Sequence, residues 1–182
     1  WGHHAVVEVE PGVVLWGARD VRPSPIEVGA YVTADRVFEA PLAETLDPRE
    51  VSTLYDDVFQ GLFPAPCVHS SNVITLGDIT PLTEWSHLNS VVYLPERDAL
   101  LLHLRWIDGL VLVDRGSGQV LWQMSGPYGE FDGVDGLPLW DGVEVSVLSH
   151  AHLSQAWDGG LVAFDNGNHH DPARSSIVEL AW

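Results

Sequence analysis

The chain has 182 residues and sets 26 Asp and Glu against 8 basic residues, all of them arginine, for a formal net charge of −18. Eight scattered arginines assemble no basic patch, which excludes nucleic acid and anionic membrane surfaces as partners, and no apolar run approaches the roughly 18–20 residues of a membrane span. A hydrophobic content of 46% separates the chain from disordered sequences, and its length fits one domain. The single Cys67 makes no intrachain disulfide and no paired-cysteine metal motif, and reads as a small buried apolar residue. The first residue is Trp1, and Trp182 ends a strand-like IVELAW, so a piece of a longer polypeptide is expected and export stays open.

In chain order, Ala5–Glu10 and Val13–Trp16 read as strands joined at Pro11-Gly12. Asp47-Pro48-Arg49-Glu50 then has the form of a helix N-cap, a proline at the first helical position and an acidic residue completing a capping box. Beyond it Val51, Leu54, Tyr55, Val58, Phe59 and Leu62 form one helical stripe, with Gly61 near its end. This predicts a single amphipathic helix of about three turns in an insertion, after which Pro64, Pro66 and Pro81 lead back to strands. Ser90–Leu94, Ala99–Leu104, Leu110–Asp114 and Gln119–Gln123 follow as strands, with turns at Asp108-Gly109 and Gly116-Ser117-Gly118. Ala156–Trp157, Leu161–Phe164 and Ser176–Trp182 close the set around Asp158-Gly159-Gly160. The predicted class is all-β.

Three segments begin with a histidine and then run strand, turn, strand: from His4, from His87 and from His152. The second continues through two more strands and completes a four-stranded meander, the unit of a propeller blade. One partial β-propeller domain over 1–182 is therefore expected, with blade units at about 1–40, 85–126 and 146–182 and a helical or loop insertion at about 41–84. The innermost strand of each blade lines the central channel, so histidines entering those strands converge at one mouth of it. The plainer reading is that each histidine caps a strand or bonds a neighbouring blade.

Trp85-Ser86-His87-Leu88-Asn89-Ser90, the strand-end Arg105, the hairpin VDRGSGQVLWQMSG, His150-x-His152 and Phe164-Asp165-Asn166-Gly167-Asn168 occur in that order. Together with Trp1-Gly2-His3-His4-Ala5 they make the sequence resemble the bacterial arylsulfate sulfotransferases that do not use phosphoadenosine phosphosulfate. The likeness is good over about 85–182, fair over 1–22 and poor over 23–84. It implies a six-bladed propeller, only part of whose ring is present here, and a channel carrying three histidines and an arginine. It also implies transfer of a sulfuryl group from an aryl sulfate donor to a phenolic acceptor through a sulfohistidine. The nucleophile then falls on His152, with His150 as alternate, and the other site residues are His87, Arg105 and His4. His3 is the alternate to His4, because Ala5 stands where the family has an acid. No cofactor and no metal are implied, the partners are small molecules, and the location is periplasmic or extracellular.

These residue types suit the chemistry. Neutral imidazole attacks and later departs near pH 7, and a planar guanidinium matches the oxygens of a sulfuryl group as it does those of a phosphoryl group. His87 would add a donor to the same oxygens, and His4 would exchange the proton of the phenol. Asn89 and Trp106, next to these groups, are candidates for holding substrate. On the plainer reading Arg105 pairs with Asp108 or Glu96, Asn89 and Asn166 serve turns and backbone, Asp165 bonds a neighbouring blade, and Trp106, Trp122 and Trp140 pack. By strand alternation His103 joins the side of Arg105. His169-His170-Asp171 with His150 and His152 raises a metal-dependent hydrolase as a further alternative, beside a non-catalytic propeller scaffold.

Overall fold

The computed structural model describes residues 2–24, 28–44, 47–58, 73–76, 79–84, 86–106, 109–124, 148, 150–157, 159–168 and 171–181. Within these the chain is all-β, in three antiparallel sheets with one parallel pairing. The first sheet opens with β1 (Gly2–Glu10), β2 (Val13–Pro23) and β3 (Tyr31–Pro41) as a meander. Pro11-Gly12 makes the first turn, with Gly12 in the left-handed region at φ 79. β3 pairs with β2 from Val13↔Pro41 to Pro23↔Tyr31. Its other edge is shared: β4 (Arg49–Thr53) pairs antiparallel with Arg36–Glu39, and β6 (Ile79–Glu84) pairs parallel with Tyr31–Thr33 and carries β5 (Val73–Leu76) as a hairpin partner.

The predicted helix is corrected here. From Arg49 the chain runs as β4 and then makes one π-helical turn at Leu54–Val58. Val51, Ser52 and Thr53 are buried, and two of the three are β-branched, which suits a pleated buried surface. Across the β3–β4 ladder Glu50 pairs with Arg36 and Arg49 with Glu39. The Asp57 carboxylate accepts from Thr53 N at 2.7 Å and Ser52 Oγ at 3.2 Å, closing the turn. Sheet pairing thus overrides the local capping signal; Phe59, Gly61 and Leu62 lie outside the described residues.

The second sheet is the four-stranded meander β7 (Leu88–Leu94), β8 (Ala99–Leu104), β9 (Gly109–Asp114) and β10 (Val120–Met124). In the β9–β10 turn Asp114 Oδ1 accepts from both Ser117 N and Ser117 Oγ at 2.7 Å. Gly118 follows at φ 73, where a Cβ would stand 2.2 Å from the Val51 carbonyl oxygen, so only glycine fits between this turn and β4. The third sheet is β11 (His152–Trp157), β12 (Gly160–Asp165) and β13 (Ser176–Ala181).

Two apolar layers hold the sheets face to face. Leu15, Val37, Val51 and Leu54 of the first sheet and its π turn pack with Leu100, Leu102, Leu104, Val111 and Val113 of the second. Leu101, Leu110, Leu112 and Trp122 on the opposite face of the second sheet pack with Leu161 and Ala163 of the third. Alternate residues of β8 therefore serve different layers, which explains its nearly unbroken apolar run, Ala-Leu-Leu-Leu-His-Leu. The leading strands of the three sheets are neighbours, with β7 between β1 and β11. Antiparallel sheets stacked face to face with their first strands side by side are the arrangement of propeller blades.

Candidate active site

Two similar corners stand at the head of β7 and of β11. In each a histidine occupies the left-handed region, His87 at φ 49 and His150 at φ 52, and both rings are buried. Such a backbone costs a branched or bulky residue about 1–2 kcal/mol, and neighbouring sheets hold both corners in place. Asp35 of β3 accepts from Ser86 Oγ at 2.6 Å and from Leu88 N at 2.7 Å, one on each side of His87. Asn89 of β7 donates from Nδ2 to the Ala151 carbonyl at 2.9 Å, between His150 and His152. The structural counterpart of His87 is therefore His150, two residues before the histidine that the repeat pattern aligns with it.

Trp106 is the wedge between these corners. Its ring meets His87 edge-on at 5.9 Å and His150 edge-on at 5.1 Å, and the Arg105 guanidinium lies 4.5 Å from its centroid. The indole N–H donates to Glu84 Oε2 at 3.1 Å. Only 2% of Trp106 is exposed, so it supports the site from beneath and offers no face on which a phenol could stack. The backbone N–H of Arg105 donates to the His87 carbonyl at 3.0 Å, which fixes the base of the arginine beside that histidine. Glu84 is buried; its Oε1 accepts from Arg19 Nη2 at 2.6 Å and its Oε2 lies 2.7 Å from His87 Nδ1.

His152 is the first residue of β11 and is half-buried. The Asn166 side-chain amide lies 3.0 Å from its Nδ1. Asn166 is in turn held by Ser175 Oγ donating to its carbonyl at 3.2 Å and by the turn in which Gly167 N donates to Asp165 Oδ1 at 3.2 Å. Burial pulls the His152 pKa below 6.5, and the charges of Arg105 and His87 act in the same direction against the opposing bond to Asn166. The ring is therefore neutral near pH 7. His103, wholly buried in β8, has its Nδ1 2.6 Å from Ser154 Oγ, and burial drives its pKa down to about 4. It faces the third sheet and belongs to the packing between β8 and β11.

Of the predicted site residues, His87 and Arg105 stand within electrostatic reach of His152, and His150 adjoins them through Trp106. His150 and His152 do not share one face of an extended chain as alternation predicts, because the left-handed corner at His150 turns one ring onto Trp106 and the other toward Asn166. His3 and His4 are at the start of β1, the neighbour of β7. Asn89 uses its amide on the Ala151 carbonyl. Cys67, Trp85, Asp108, Trp140, His169 and His170 are outside the described residues. Among the described residues no group of three or more His, Cys, Asp or Glu is placed to hold a metal. Sequence reasoning passed over Glu84 and Asp35. The repeated Ser-His doublet at 86–87 and 149–150 was the signal for the matching corners.

A neutral histidine, a guanidinium and further imidazoles, gathered from different sheets of a blade-built all-β fold, define a protein suited to moving an anionic group. The family model for arylsulfotransferase (ASST) matches residues 26–178, and the chain belongs to that family. Aryl sulfotransfer is thereby its general activity, with small molecules as substrates. The match takes in His87, Arg105, His150 and His152 and begins after His3 and His4. No curated protein gives a match to the chain. Among the described residues no helix is long and apolar enough to cross a membrane.

Proposed function

We propose that the chain carries the site of an aryl-sulfate sulfotransferase that works through a sulfohistidine on His152, without phosphoadenosine phosphosulfate. A lone pair of neutral His152 attacks the sulfur of an aryl sulfate, the S–O bond breaks, and the phenolate leaves with its electron pair. A phenolic acceptor then attacks the same sulfur, the S–N bond breaks, and His152 recovers its lone pair. Arg105 gathers the non-bridging oxygens, which carry charge throughout. The proton lost by the acceptor phenol passes to His4, with His3 as its alternate, while His87 adds a donor to the sulfuryl oxygens; His150 is the alternate to His152 as nucleophile. Asn89 acts by holding the His150–His152 segment and Trp106 by holding the rings. An extracytoplasmic setting accords with the family.

The observation that carries this reading is the neutral, half-exposed His152 with Arg105 and His87 in electrostatic reach. The test mixes the full-length protein with 4-nitrophenyl sulfate and looks by mass spectrometry for a sulfated peptide containing His152. One equivalent of phenolate released in a burst, lost in His152→Ala, is the expected result. An unmodified protein, or a His152→Ala variant that transfers sulfate as well as wild type, refutes it.

A further inference from the structure

An aryl sulfotransferase has to seat a ring beside its reacting histidine, and Trp106 is too buried to do so. The third sheet offers an aromatic surface instead. Phe164 of β12 is the residue directly opposite His152 across the β11–β12 ladder, and Ile177 of β13 is directly opposite Phe164. Directly paired residues project from the same face of an antiparallel sheet, with Cβ atoms about 4.5–5.5 Å apart. Phe164 is 41% exposed and Ile177 75%, whereas Leu161, Ala163 and Asp165, which alternate with them along β12, are fully buried on the other face.

A one-residue irregularity makes this pairing. From Trp157↔Gly160 to Gln155↔Val162 the ladder is regular, and its continuation would set His152 opposite the buried Asp165. The register shifts between His152 and Gln155 by one extra residue on β11, so that His152 meets Phe164. A slip of one residue turns a side chain to the opposite face of its sheet, and bulges of this kind re-aim side chains beside active sites. The Asn166 amide, just past the end of β12, lies 3.0 Å from His152 Nδ1 and ties the imidazole to the strand end that carries Phe164. Trp157, also exposed, pairs with Gly160 at the far end of β11, about 17 Å away at about 3.3 Å per residue.

We infer that Phe164, extended by Ile177, seats the aromatic ring of donor and acceptor beside His152 and so sets the preference of the site for aryl substrates. This rests on the function proposed above and names a specificity residue within it. Ring pairs are favourable at centroid separations of about 4.5–7 Å, a span that a phenyl group on a sulfur at His152 reaches from the directly paired side chain. Phe164 takes no part in bond making, so its effect falls on reactions that bring a ring and spares those that do not. Transfer to phenol brings one; hydrolysis of the sulfohistidine by water does not.

The test uses the full-length protein with Phe164→Ala and with Phe164→Leu, which keeps apolar bulk and removes the π face. Each protein is sulfated with 4-nitrophenyl sulfate and freed of donor, and its loss of sulfate is followed in buffer alone and with subsaturating phenol. Transfer to phenol should slow by about 10–100-fold in Phe164→Ala and by about threefold to tenfold in Phe164→Leu, while hydrolysis changes by less than about threefold in both. A side chain that only packs against a further sheet would slow both reactions alike or leave both intact, and either outcome overturns the inference. Intermolecular NOEs between 4-nitrophenol and ¹³C-labelled phenylalanine rings are expected in wild type and in His152→Ala and are lost in Phe164→Leu; their absence from wild type overturns it as well. A wild type that forms no sulfohistidine refutes the proposed function and not the aryl seat, which the NOEs then decide by themselves.

Discussion

Replacing His103 by glutamine should make the fold less sensitive to acid. The ring is fully buried between the second and third sheets, and burial, helped by the nearby His152 and opposed by Asp165, holds its pKa at about 4 against 6.5 for an ordinary histidine. In the unfolded chain it binds a proton below 6.5, while in the folded chain it stays neutral until about pH 4. The unfolded state therefore gains protons first, and stability falls as the pH drops through that window. The full gap is worth about 3.4 kcal/mol at about 1.36 kcal/mol per pH unit, and about 2 kcal/mol of it is spent by pH 5. Glutamine keeps a polar partner for Ser154 Oγ and does not titrate. Urea unfolding of the full-length protein at pH 7 and pH 5 should show wild type losing about 2 kcal/mol more than His103→Gln between the two conditions. Equal losses would mean that His103 is protonated in the folded state and that the packing argument for it is wrong.

Asp35→Ala should lower stability by about 2–4 kcal/mol in the same assay, since it orphans two buried donors, Ser86 Oγ and Leu88 N. It should also slow sulfate transfer, and a loss below about 0.5 kcal/mol would show that the corner at His87 holds itself. Arg105→Gln should cost about 10²–10³-fold in phenolate release, as removal of one transition-state donor does elsewhere. It should also move the acid limb of that rate upward, because Arg105 is one of the charges that depress the His152 pKa; a limb that stays put would separate the two side chains.

Legibility along the sequence followed the source of order in each element. β8 was readable because both of its faces are buried, giving a continuous apolar run that ends before the turn signal at Asp108-Gly109. Residues 31–41 were not read as a strand, because Asp35, Arg36 and Glu39 interrupt its apolar residues. Asp35 and Glu39 are paired across sheets, with Ser86 and Arg115, and Arg36 is paired across the ladder with Glu50 of β4. Nothing local announces such partners. The capping box at 47–50 was a sound local signal that lost to the free edge of β3. At the site, the residue types and their order were legible, whereas the left-handed backbone that makes His150 the counterpart of His87 is a property of φ and not of spacing. Glu84 stands three residues before His87, but its ion pair with Arg19 exists only once the first sheet has formed, and its bond from Trp106 only once the first two sheets are docked.

The bonds from Asp35 to the His87 corner and from Asn89 to the Ala151 carbonyl run in one direction, from each sheet to the next in sequence. The first sheet finishes the histidine corner of the second, and the second finishes that of the third. Chemical competence is then a collective property that no sheet owns alone. A partly assembled chain would expose correctly spaced histidines without their proper backbone, and would be inert toward sulfate esters until the last seam closed.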